Sequence, residues 1–375
     1  MHFLLIPYLL LCVCFIALFD TAQFKRRGEA GARAGLMLVT GLTLLILFLS
    51  MATRSVMGDS QQYYEYFLEL RDLGMVQAAV YGSFDLFFAA YVWLVGQLGT
   101  ASWLVFGCTL LVYLGVFVLA LRRLVGRLEA CALVMVYVAY PDFINYANNG
   151  IRQGLGMVFM LVALVSFAQG RRKAWIWLLL TPFWHSGMWL AVGVVVLHQL
   201  MCLCISSQRL RWGLVLGALS VAIGLSMSGI NQNLMSALPS AISLQDRYQV
   251  YFESADQFGY RAGFRLDFFA FSLVPLLTAW VLRQRVRSFD YSGCGWWLSL
   301  YLSLNIIYQL FSFAPFANRF ADFSWYLMPL VVFMQVRESQ SRSLMTVFML
   351  SVMSLNLVML QLYTGNYIPM PEWLQ

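Results

Sequence analysis

Three arginines of this chain stand where an apolar segment begins. Arg152 follows two asparagines in NNGIRQGLGMVFMLVAL, Arg319 follows Asn318, and Arg265 opens the segment that starts near Phe264. Asparagine is a preferred N-cap, so the segments at Arg152 and Arg319 are predicted to be helices that begin beside their arginine, and the apolar run at Arg265 is predicted to begin in the same way. The N-terminus of a helix disfavours a cation by up to about 1 kcal/mol, but its free N–H groups bind phosphate or carboxylate well. The pattern therefore indicates an anion site that the arginines share.

The alternative for each arginine is a purely structural role. An arginine at the end of a membrane helix can extend its guanidinium to the lipid headgroups. It can also pair with an aspartate, for which Asp142 and Asp322 are candidates in the sequence. The equivalent positions of the three arginines favour the anion site.

Two side chains are candidates for a general base that removes a proton from a substrate hydroxyl. Asp59 follows a glycine just past an apolar segment in RSVMGDSQQYYEYF, where it can alternatively pair with Arg54 or cap the helix that carries Tyr63. His185 lies at a turn between two apolar segments in TPFWHSGMW, where the alternative is a hydrogen bond to a backbone carbonyl. Asp59 is slightly favoured, because in its loop it can be ionised and still be shielded by the segment that follows.

The composition predicts that helices embedded in a membrane position these residues. Of the 375 residues, 61% are hydrophobic and only 11% are charged, whereas soluble domains carry about 25% charged residues. Apolar runs of about 20 residues recur along the chain, which is typical of transmembrane helices. We therefore expect an all-α polytopic integral membrane protein with one transmembrane domain over residues 1–375 and about twelve spans. The spans are predicted to begin near Phe3, Gly35, Ala101, Ala130, Gly150, Ala174, Gly187, Trp212, Phe264, Trp296, Asp322 and Leu344.

The basic residues predict which ends of the spans face the cytoplasm. Most of the 24 lysines and arginines fall in one alternating set of short connections, and such loops stay on the cytoplasmic side. The remaining basic residues are all arginines on the opposite, outer side. They are Arg54, Arg71, Arg152, Arg247, Arg261, Arg265 and Arg319. The net charge of +7 therefore reflects topology, and no nucleic-acid partner is expected.

Two long outer loops, residues 51–100 and 229–263, are predicted between the spans. The first contains the apolar segment SFDLFFAAYVWLVGQLG. We interpret it as a juxtamembrane or re-entrant helix, since counting it as a span would place the basic stretch RRLVGR outside. Tyrosines of the outer regions are typical of a membrane-interface belt and are also suited to stacking on sugar rings. They include Tyr63, Tyr248, Tyr251 and Tyr326.

No metal or cofactor site is predicted. The seven cysteines lie in or beside apolar runs, and closely spaced pairs face different directions on a helix, so neither disulfides nor zinc binding is expected. The sequence also lacks a glycine-rich phosphate loop, a serine-hydrolase elbow and a zinc motif. A reaction catalysed by this chain would therefore take its energy from the bond that is broken.

The order of these residues resembles the EpsG family of Wzy-type polymerases of O-antigen and exopolysaccharide. The resemblance covers roughly Met51 to Pro329, and the part from Gly58 to His185 is also similar to the membrane module of type C glycosyltransferases. Many relatives carry an acid where the juxtamembrane segment opens; here only Asp85 stands near that position, and the sequence assigns it no role. The motifs of the resemblance are R-x3-G-D-x3-Y, N-x-I-R-Q, H-S, R-Y-x2-Y and N-R-F-x5-Y-x2-P, which begin at Arg54, Asn149, His185, Arg247 and Asn318.

The resemblance implies a glycosyltransferase at the periplasmic face of the bacterial inner membrane. It would join oligosaccharide repeat units carried on undecaprenyl pyrophosphate, with the growing chain as donor and a lipid-linked unit as acceptor. The expected partners are membrane lipid and these two lipid-linked substrates, with a chain-length regulator protein as a further candidate. The residues expected to bind pyrophosphate or glycan are Arg54, Tyr63, Arg152, Gln153, Arg247, Tyr248, Tyr251, Arg265, Asn318, Arg319 and Tyr326, with Asp59 and His185 as the candidate bases.

Two other functions remain open. An O-antigen ligase, or another membrane glycosyl- or acyltransferase, would need a similar outward site. A flippase for lipid-linked sugars would also use outward arginines, but it should carry polar groups through the membrane centre on several helices. The central parts of the predicted spans are nearly free of charge, which disfavours a flippase.

Overall fold

A computed structural model of the chain describes residues 29–57, 59–81, 85–232, 263–284, 293–314, 317–341, 344–348 and 351. Within these residues the secondary structure is helical, and no strand occurs. The predicted all-α fold is therefore confirmed. The first predicted span and most of the second outer loop, residues 233–262, lie outside the described residues.

The fold consists of two compact units. Unit 1 contains the described residues up to Trp189 and those from Ser341 onward. Unit 2 extends from Leu190 to Gln340. The helices of unit 1 are α1 (Glu29–Ala52), α2 (Asp59–Arg71), α3 (Met75–Tyr81), α4 (Leu86–Gly96), α5 (Ser102–Val125), α6 (Arg127–Val138), α7 (Pro141–Asn148), α8 (Ile151–Ala168) and α9 (Ala174–Leu180). Helix α10 (Met188–Cys204) begins in unit 1 and continues into unit 2. The further helices of unit 2 are α11 (Gln208–Ser228), α12 (Leu266–Ser272), α13 (Val274–Leu282), α14 (Cys294–Leu310), α15 (Asn318–Trp325) and α16 (Met328–Glu338). That the whole chain forms a single transmembrane domain stays a prediction.

Four helices in the described ranges are long and apolar enough to cross a membrane. They are Gly31–Ala52 within α1, and the whole of α5, α8 and α11. The bent pair of α6 and α7 would make a fifth if it counts as one span. These helices support a membrane protein, whereas the predicted number of about twelve spans is not confirmed.

Proline divides three of the predicted spans into two helices each. Pro141 opens α7 after a bend of 77° from α6, and Pro275 and Pro329 lie in the first turns of α13 and α16. Proline lacks an N–H group, so it is best tolerated in a first helical turn, where that group would have no partner within the helix. The spans predicted in these regions are therefore interrupted, which their apolar pattern does not reveal.

The first outer loop folds into three short helices, α2 to α4. Helices α2 and α4 approach closely at Gly96, where a Cβ atom would lie 3.0 Å from Cβ of Arg71. Trp93 Nε1 donates a hydrogen bond to the carbonyl oxygen of Leu73 at 2.9 Å, which ties α4 to the turn after α2. Helix α4 occupies the segment predicted as the juxtamembrane helix, and its depth in a membrane stays a prediction. Large apolar side chains exposed on this loop include Met75, Val76, Val80, Leu94 and Leu98.

Helix α14 forms the core of unit 2, since nearly all of its side chains are buried. It packs against α11 and α15, and Asn305 donates a hydrogen bond to Ser324 Oγ at 3.1 Å. His198 on α10 is 3% exposed, and its Nε2 lies 2.9 Å from Ser299 Oγ. Such hydrogen bonds satisfy polar groups between apolar helices, so His198 is a packing residue.

Candidate functional site

Arg152 is the second residue of α8, as predicted from its position before an apolar run. The two asparagines that precede it do not cap this helix, contrary to the prediction. Gly150 occupies the cap position without a side-chain bond, and the asparagines end the preceding helix α7. Helices α7 and α8 meet closely at Gly154, where a Cβ atom would lie 2.8 Å from the carbonyl oxygen of Tyr146. This contact fixes the start of α8 and with it the position of Arg152.

The guanidinium of Arg152 forms an ion pair with Asp85. The distance between Arg152 Nη1 and Asp85 Oδ2 is 2.7 Å. Asp85 directly precedes α4, and its side chain is 5% exposed, whereas that of Arg152 is 42% exposed. Nε of Arg152 is buried and has no hydrogen-bond partner among the described residues. Asp85 and Tyr63 therefore both hold the guanidinium, and Nε is left without a hydrogen-bond partner in the part of the chain that the structure describes.

The turn before α10 brings His185 and Ser186 to the same carboxylate. The backbone N–H of Ser186 donates a hydrogen bond to Asp85 Oδ1 at 2.7 Å. Nδ1 of His185 lies 3.9 Å from Asp85 Oδ2, which is beyond hydrogen-bond distance. The ring fits here because residue 187 is a glycine: a Cβ atom on Gly187 would lie 3.0 Å from Nε2 of the histidine. Asp85 thus joins the start of α4, the start of α8 and the turn before α10.

Asp85 keeps its negative charge in spite of its burial. Burial by itself raises the pKa of the Asp85 carboxyl group. The neighbouring His185, Arg152 and the N–H of Ser186 outweigh burial and lower this pKa below its ordinary value. Opposite charges and hydrogen-bond donors favour the ionised form of a carboxyl group. Asp85 is therefore an anion throughout the pH range in which histidines titrate.

Arg54, which follows α1, is a second cation in unit 1 and is only 4% exposed. Its Cζ lies 3.9 Å from the centre of the Phe106 ring, and Nη1 donates a hydrogen bond to the carbonyl oxygen of Ala147 at 3.2 Å. Nε and Nη2 are buried and have no hydrogen-bond partner within the described part of the chain. Burial lowers the pKa of Arg54 to about 10, so the guanidinium remains charged at neutral pH.

Tyr63 on α2 connects the two arginines. The Cζ atom of Arg152 lies 5.7 Å from the centre of the Tyr63 ring, and the tyrosine interacts electrostatically with Arg54 as well. The ring packs edge-on against Phe88, with 6.2 Å between the ring centres. Two guanidinium groups and one carboxylate leave this site with a positive charge, which favours an anionic ligand. We use the name arginine cluster for Arg54, Tyr63, Asp85, Arg152 and His185.

Several predicted site residues fall outside this description. Asp59 is the first residue of α2, but its side chain lies outside the described part of the chain, so its role as a base stays a prediction. Gln153 is buried on α8. The predicted glycan residues of the second outer loop, Arg247, Tyr248 and Tyr251, also lie outside the described residues.

The other predicted ligands belong to unit 2. Arg265 directly precedes α12 and donates hydrogen bonds to both carboxylate oxygens of Asp267, at 3.2 Å from Nε and 2.5 Å from Nη2. For Arg265 the structure therefore realises the alternative of pairing with an aspartate. Arg319 lies in the first turn of α15, as predicted, and is exposed, but Ala317 and not Asn318 occupies the cap position. Tyr326 is fully buried, so it does not present its ring for stacking on a sugar in this conformation.

Asp85 is the functional candidate that the sequence did not reveal. Its hydrogen-bonding partners Arg152 and Ser186 are 67 and 101 residues away along the chain, so no local pattern connects them. In the sequence, the one feature that points to Asp85 is its position just before the predicted juxtamembrane helix. Arg152 thus pairs with an aspartate, as the structural alternative requires. Its Nε nevertheless has no hydrogen-bond partner among the described residues.

The model of the EpsG family matches residues 36–371, which is nearly the whole chain. The chain belongs to the EpsG family. EpsG-type proteins are Wzy-like polymerases, and this family member is accordingly a membrane protein of the polysaccharide-polymerase type, related in its chemistry to glycosyltransferases. No curated protein and no solved structure matches the chain.

The arginine cluster contains groups suited to two functions in glycosyl transfer, and these functions stay predictions for this chain. Arg54 and Arg152 supply cationic N–H donors, which stabilise negative charge that develops on a leaving group. His185 supplies an imidazole, the side chain that most often serves as a general base. Both functions lie within unit 1, on segments that Asp85 and close helix packing hold in place.

Proposed function

We propose that this chain joins oligosaccharide repeat units, carried on undecaprenyl pyrophosphate, into O-antigen or exopolysaccharide at the periplasmic face of the bacterial inner membrane. The observation that carries the proposal is the arginine cluster, in which Arg54 and Arg152 each have a guanidinium nitrogen without a hydrogen-bond partner among the described residues and Asp85 lies between Arg152 and the candidate base His185. Guanidinium groups bind phosphate oxygens through pairs of parallel hydrogen bonds. A pyrophosphate carries several negative charges and is the donor group that such a site fits best.

The reaction is a displacement at the anomeric carbon of the growing chain. The hydroxyl oxygen of the acceptor bonds to this carbon, and the bond between the carbon and the pyrophosphate oxygen breaks. Undecaprenyl pyrophosphate leaves with the bonding electrons, and Arg54 and Arg152 stabilise its charge. A pyrophosphate leaves readily without a general acid, so a base alone is needed; Asp59 or His185 takes the hydroxyl proton. The broken donor bond supplies the energy.

The outward orientation follows from the distribution of basic residues. Most lysines and arginines lie in alternating short connections, which stay cytoplasmic in bacterial membrane proteins. Arg152, Arg247 and Arg319 then face the periplasm, where the lipid-linked units are polymerised. The same rule assigns the predicted glycan residues Tyr248 and Tyr251 to a periplasmic connection.

An O-antigen ligase uses the same kind of donor and differs in the acceptor, so the arginine cluster alone does not separate the two enzymes. Membership of the EpsG family favours the polymerase. The acceptor is identified by the product that accumulates when the protein is absent.

The experiment is deletion of the gene in the native host, followed by gel analysis of the lipopolysaccharide or the exopolysaccharide. For an O-antigen host, loss of a polymerase leaves single repeat units on the lipid A core, and the wild-type gene restores the ladder of long chains. Loss of a ligase leaves no repeat unit on the core, and loss of a flippase leaves lipid-linked units at the cytoplasmic face. A normal ladder in the deletion strain contradicts the proposal.

A further inference from the structure

Asp85 connects the anion-binding part of the arginine cluster to its candidate base. Oδ2 accepts a hydrogen bond from Arg152 Nη1 at 2.7 Å, and Oδ1 accepts one from the backbone N–H of Ser186 at 2.7 Å. Ser186 directly follows His185 in the chain. The same carboxylate therefore holds both the arginine and the turn that carries the histidine.

Helix capping does not explain the position of Asp85. An aspartate just before a helix usually accepts a hydrogen bond from an N–H of the first turn, but the side chain of Asp85 makes no such bond to α4. Both of its oxygens bond to other segments instead. A buried carboxylate is unfavourable unless donors surround it, and this one is 5% exposed. Its contacts therefore stabilise the arrangement of three segments rather than the end of one helix.

The imidazole of His185 turns one of its nitrogens toward the same carboxylate. Nδ1 faces Asp85 Oδ2 at 3.9 Å and has no hydrogen-bond partner among the described residues. A carboxylate attracts a proton to the nitrogen that faces it, which leaves the lone pair of the neutral ring on Nε2. Hydrogen bonds of catalytic groups are often long before the substrate binds, and a movement of about 1 Å would close this one.

We propose that Asp85 is a positioning residue that orients His185 as the general base and fixes Arg152 as a ligand of the pyrophosphate. The inference rests on the proposed polymerase function, and it selects His185 over Asp59 as the base. Nε2 of the histidine takes the proton of the acceptor hydroxyl while the acceptor oxygen bonds to the anomeric carbon. Undecaprenyl pyrophosphate leaves with the electrons of the broken bond, and the Asp85 carboxylate stabilises the imidazolium without itself taking the proton.

The charged and titratable side chains around His185, which lies in the turn before α10, come from four further segments, and one of them carries Arg54 directly after α1. Asp85 precedes α4, Arg152 lies on α8, and Tyr63 and Tyr66 lie on α2, where both tyrosines interact electrostatically with Arg152. Of these, Asp85 carries the negative charge that faces His185. The variant Asp85→Asn removes this charge and can still accept a hydrogen bond from Ser186, because an amide oxygen replaces the carboxylate oxygen.

The test measures polymerisation of synthetic lipid-linked repeat units by the full chain in lipid nanodiscs, from acidic to alkaline pH. We expect Asp85→Asn to lower kcat by at least about ten-fold, since a positioned general base contributes about a hundred-fold or more. We also expect the acidic limb of its pH–rate profile to move to lower pH, because the imidazolium of His185 loses its stabilising anion. Asp85→Glu retains the charge and should restore part of the rate and the position of the limb. A lower rate with an unmoved acidic limb in Asp85→Asn would show a purely structural role and overturn the proposal.

Gly187→Ala gives a second test. It leaves Asp85 in place, so its result does not depend on whether the Asp85 variants fold. The new Cβ atom would lie 3.0 Å from Nε2 of His185, so the ring must move by a few tenths of an ångström. We expect a lower kcat with little change in KM, because the imidazole shifts while the ion pair of Arg152 and Asp85 stays intact. An unchanged kcat contradicts the role of His185 and therefore the proposal.

An assay of the wild-type chain shows whether the polymerase function itself has failed or only the proposed role of Asp85. If the wild-type chain binds the lipid-linked units but makes no polymer, the polymerase function fails, and the role of Asp85 in it fails as well. If the wild-type chain polymerises the units and Asp85→Asn does so with the same rate and pH profile, only the positioning role is overturned.

Discussion

Replacing Arg152 by lysine tests two roles of this residue separately: its ion pair with Asp85 and its proposed binding of an anion. Nη1 of Arg152 lies 2.7 Å from Asp85 Oδ2, while Nε is buried and has no hydrogen-bond partner among the described residues. A guanidinium can hold the carboxylate with one nitrogen and a pyrophosphate with the others, because its five N–H donors lie in one plane. The ammonium of a lysine is a single point of charge, and the buried carboxylate would hold it. Arg152→Lys should therefore keep the ion pair and lose the contact with the pyrophosphate.

The expected magnitude follows from the lost contact. A hydrogen bond to a charged group contributes about 1.5 to 3 kcal/mol, and each 1.4 kcal/mol or so is a factor of ten. Losing one such bond to the leaving group predicts a fall in kcat/KM of about ten- to a hundred-fold. The free energy of unfolding should change by less than about 1 kcal/mol, because the cation still pairs with Asp85 and the side chain at this position is 42% exposed.

The assay is polymerisation of lipid-linked units by the purified chain in nanodiscs, with thermal unfolding of the same preparation as the measure of stability. The matched control is Arg172→Lys, which changes an exposed arginine of a predicted cytoplasmic turn and should leave both measurements unaltered. Arg152→Gln is expected to lose activity and stability together, because it leaves the Asp85 carboxylate without its cation. Full polymerisation by Arg152→Lys would refute the reasoning and make Arg152 a charge anchor.

The remaining predictions concern the base, the orientation and the packing of the site. His185→Ala should abolish product while lipid-linked substrate still binds, and Asp59→Asn should be milder; the reverse order would make Asp59 the base, and full activity in both would mean that neither is the base. A cysteine placed beside Arg152 should react with an impermeant thiol reagent in cells with a permeabilised outer membrane, and labelling only after disruption of the inner membrane would contradict the orientation. Gly154→Ala should destabilise the chain by about 1–3 kcal/mol in thermal unfolding, because its Cβ would lie 2.8 Å from a backbone carbonyl oxygen of α7. Gly115→Ala, which meets open space, is its control and should unfold at or above the wild-type temperature.

The helical fold and the helix beside Arg152 could be predicted because their causes are local. An apolar run must satisfy its backbone groups within a helix when water is absent, and this requirement is visible in composition and spacing. The helix at α4 was predicted from the same apolar run. The proline breaks were visible as residues, but the apolar pattern continues across Pro275 and Pro329, so the interruption of those spans was missed.

The contacts of the site could be predicted only in part. Arg265 pairs with Asp267, two residues away, and the sequence alone shows that such a pair is within reach. The pairing of Arg152 with Asp85 is different, because it depends on how α4 packs against α8 and on the turn at Ser186. A single sequence contains no spacing that connects these three residues. The arginine cluster therefore becomes visible only when the helices of unit 1 are assembled.

The most direct test of the account uses the purified chain and undecaprenyl-pyrophosphate-linked repeat units, with no nucleotide added. The account predicts a ladder of products that lengthens by whole repeat units, with one undecaprenyl pyrophosphate released for each new glycosidic bond. This stoichiometry follows because the donor bond is the energy source and its lipid pyrophosphate is the leaving group. Lipid-linked units that bind to the chain but stay single, or that are transferred only to added lipid A core, would contradict the account.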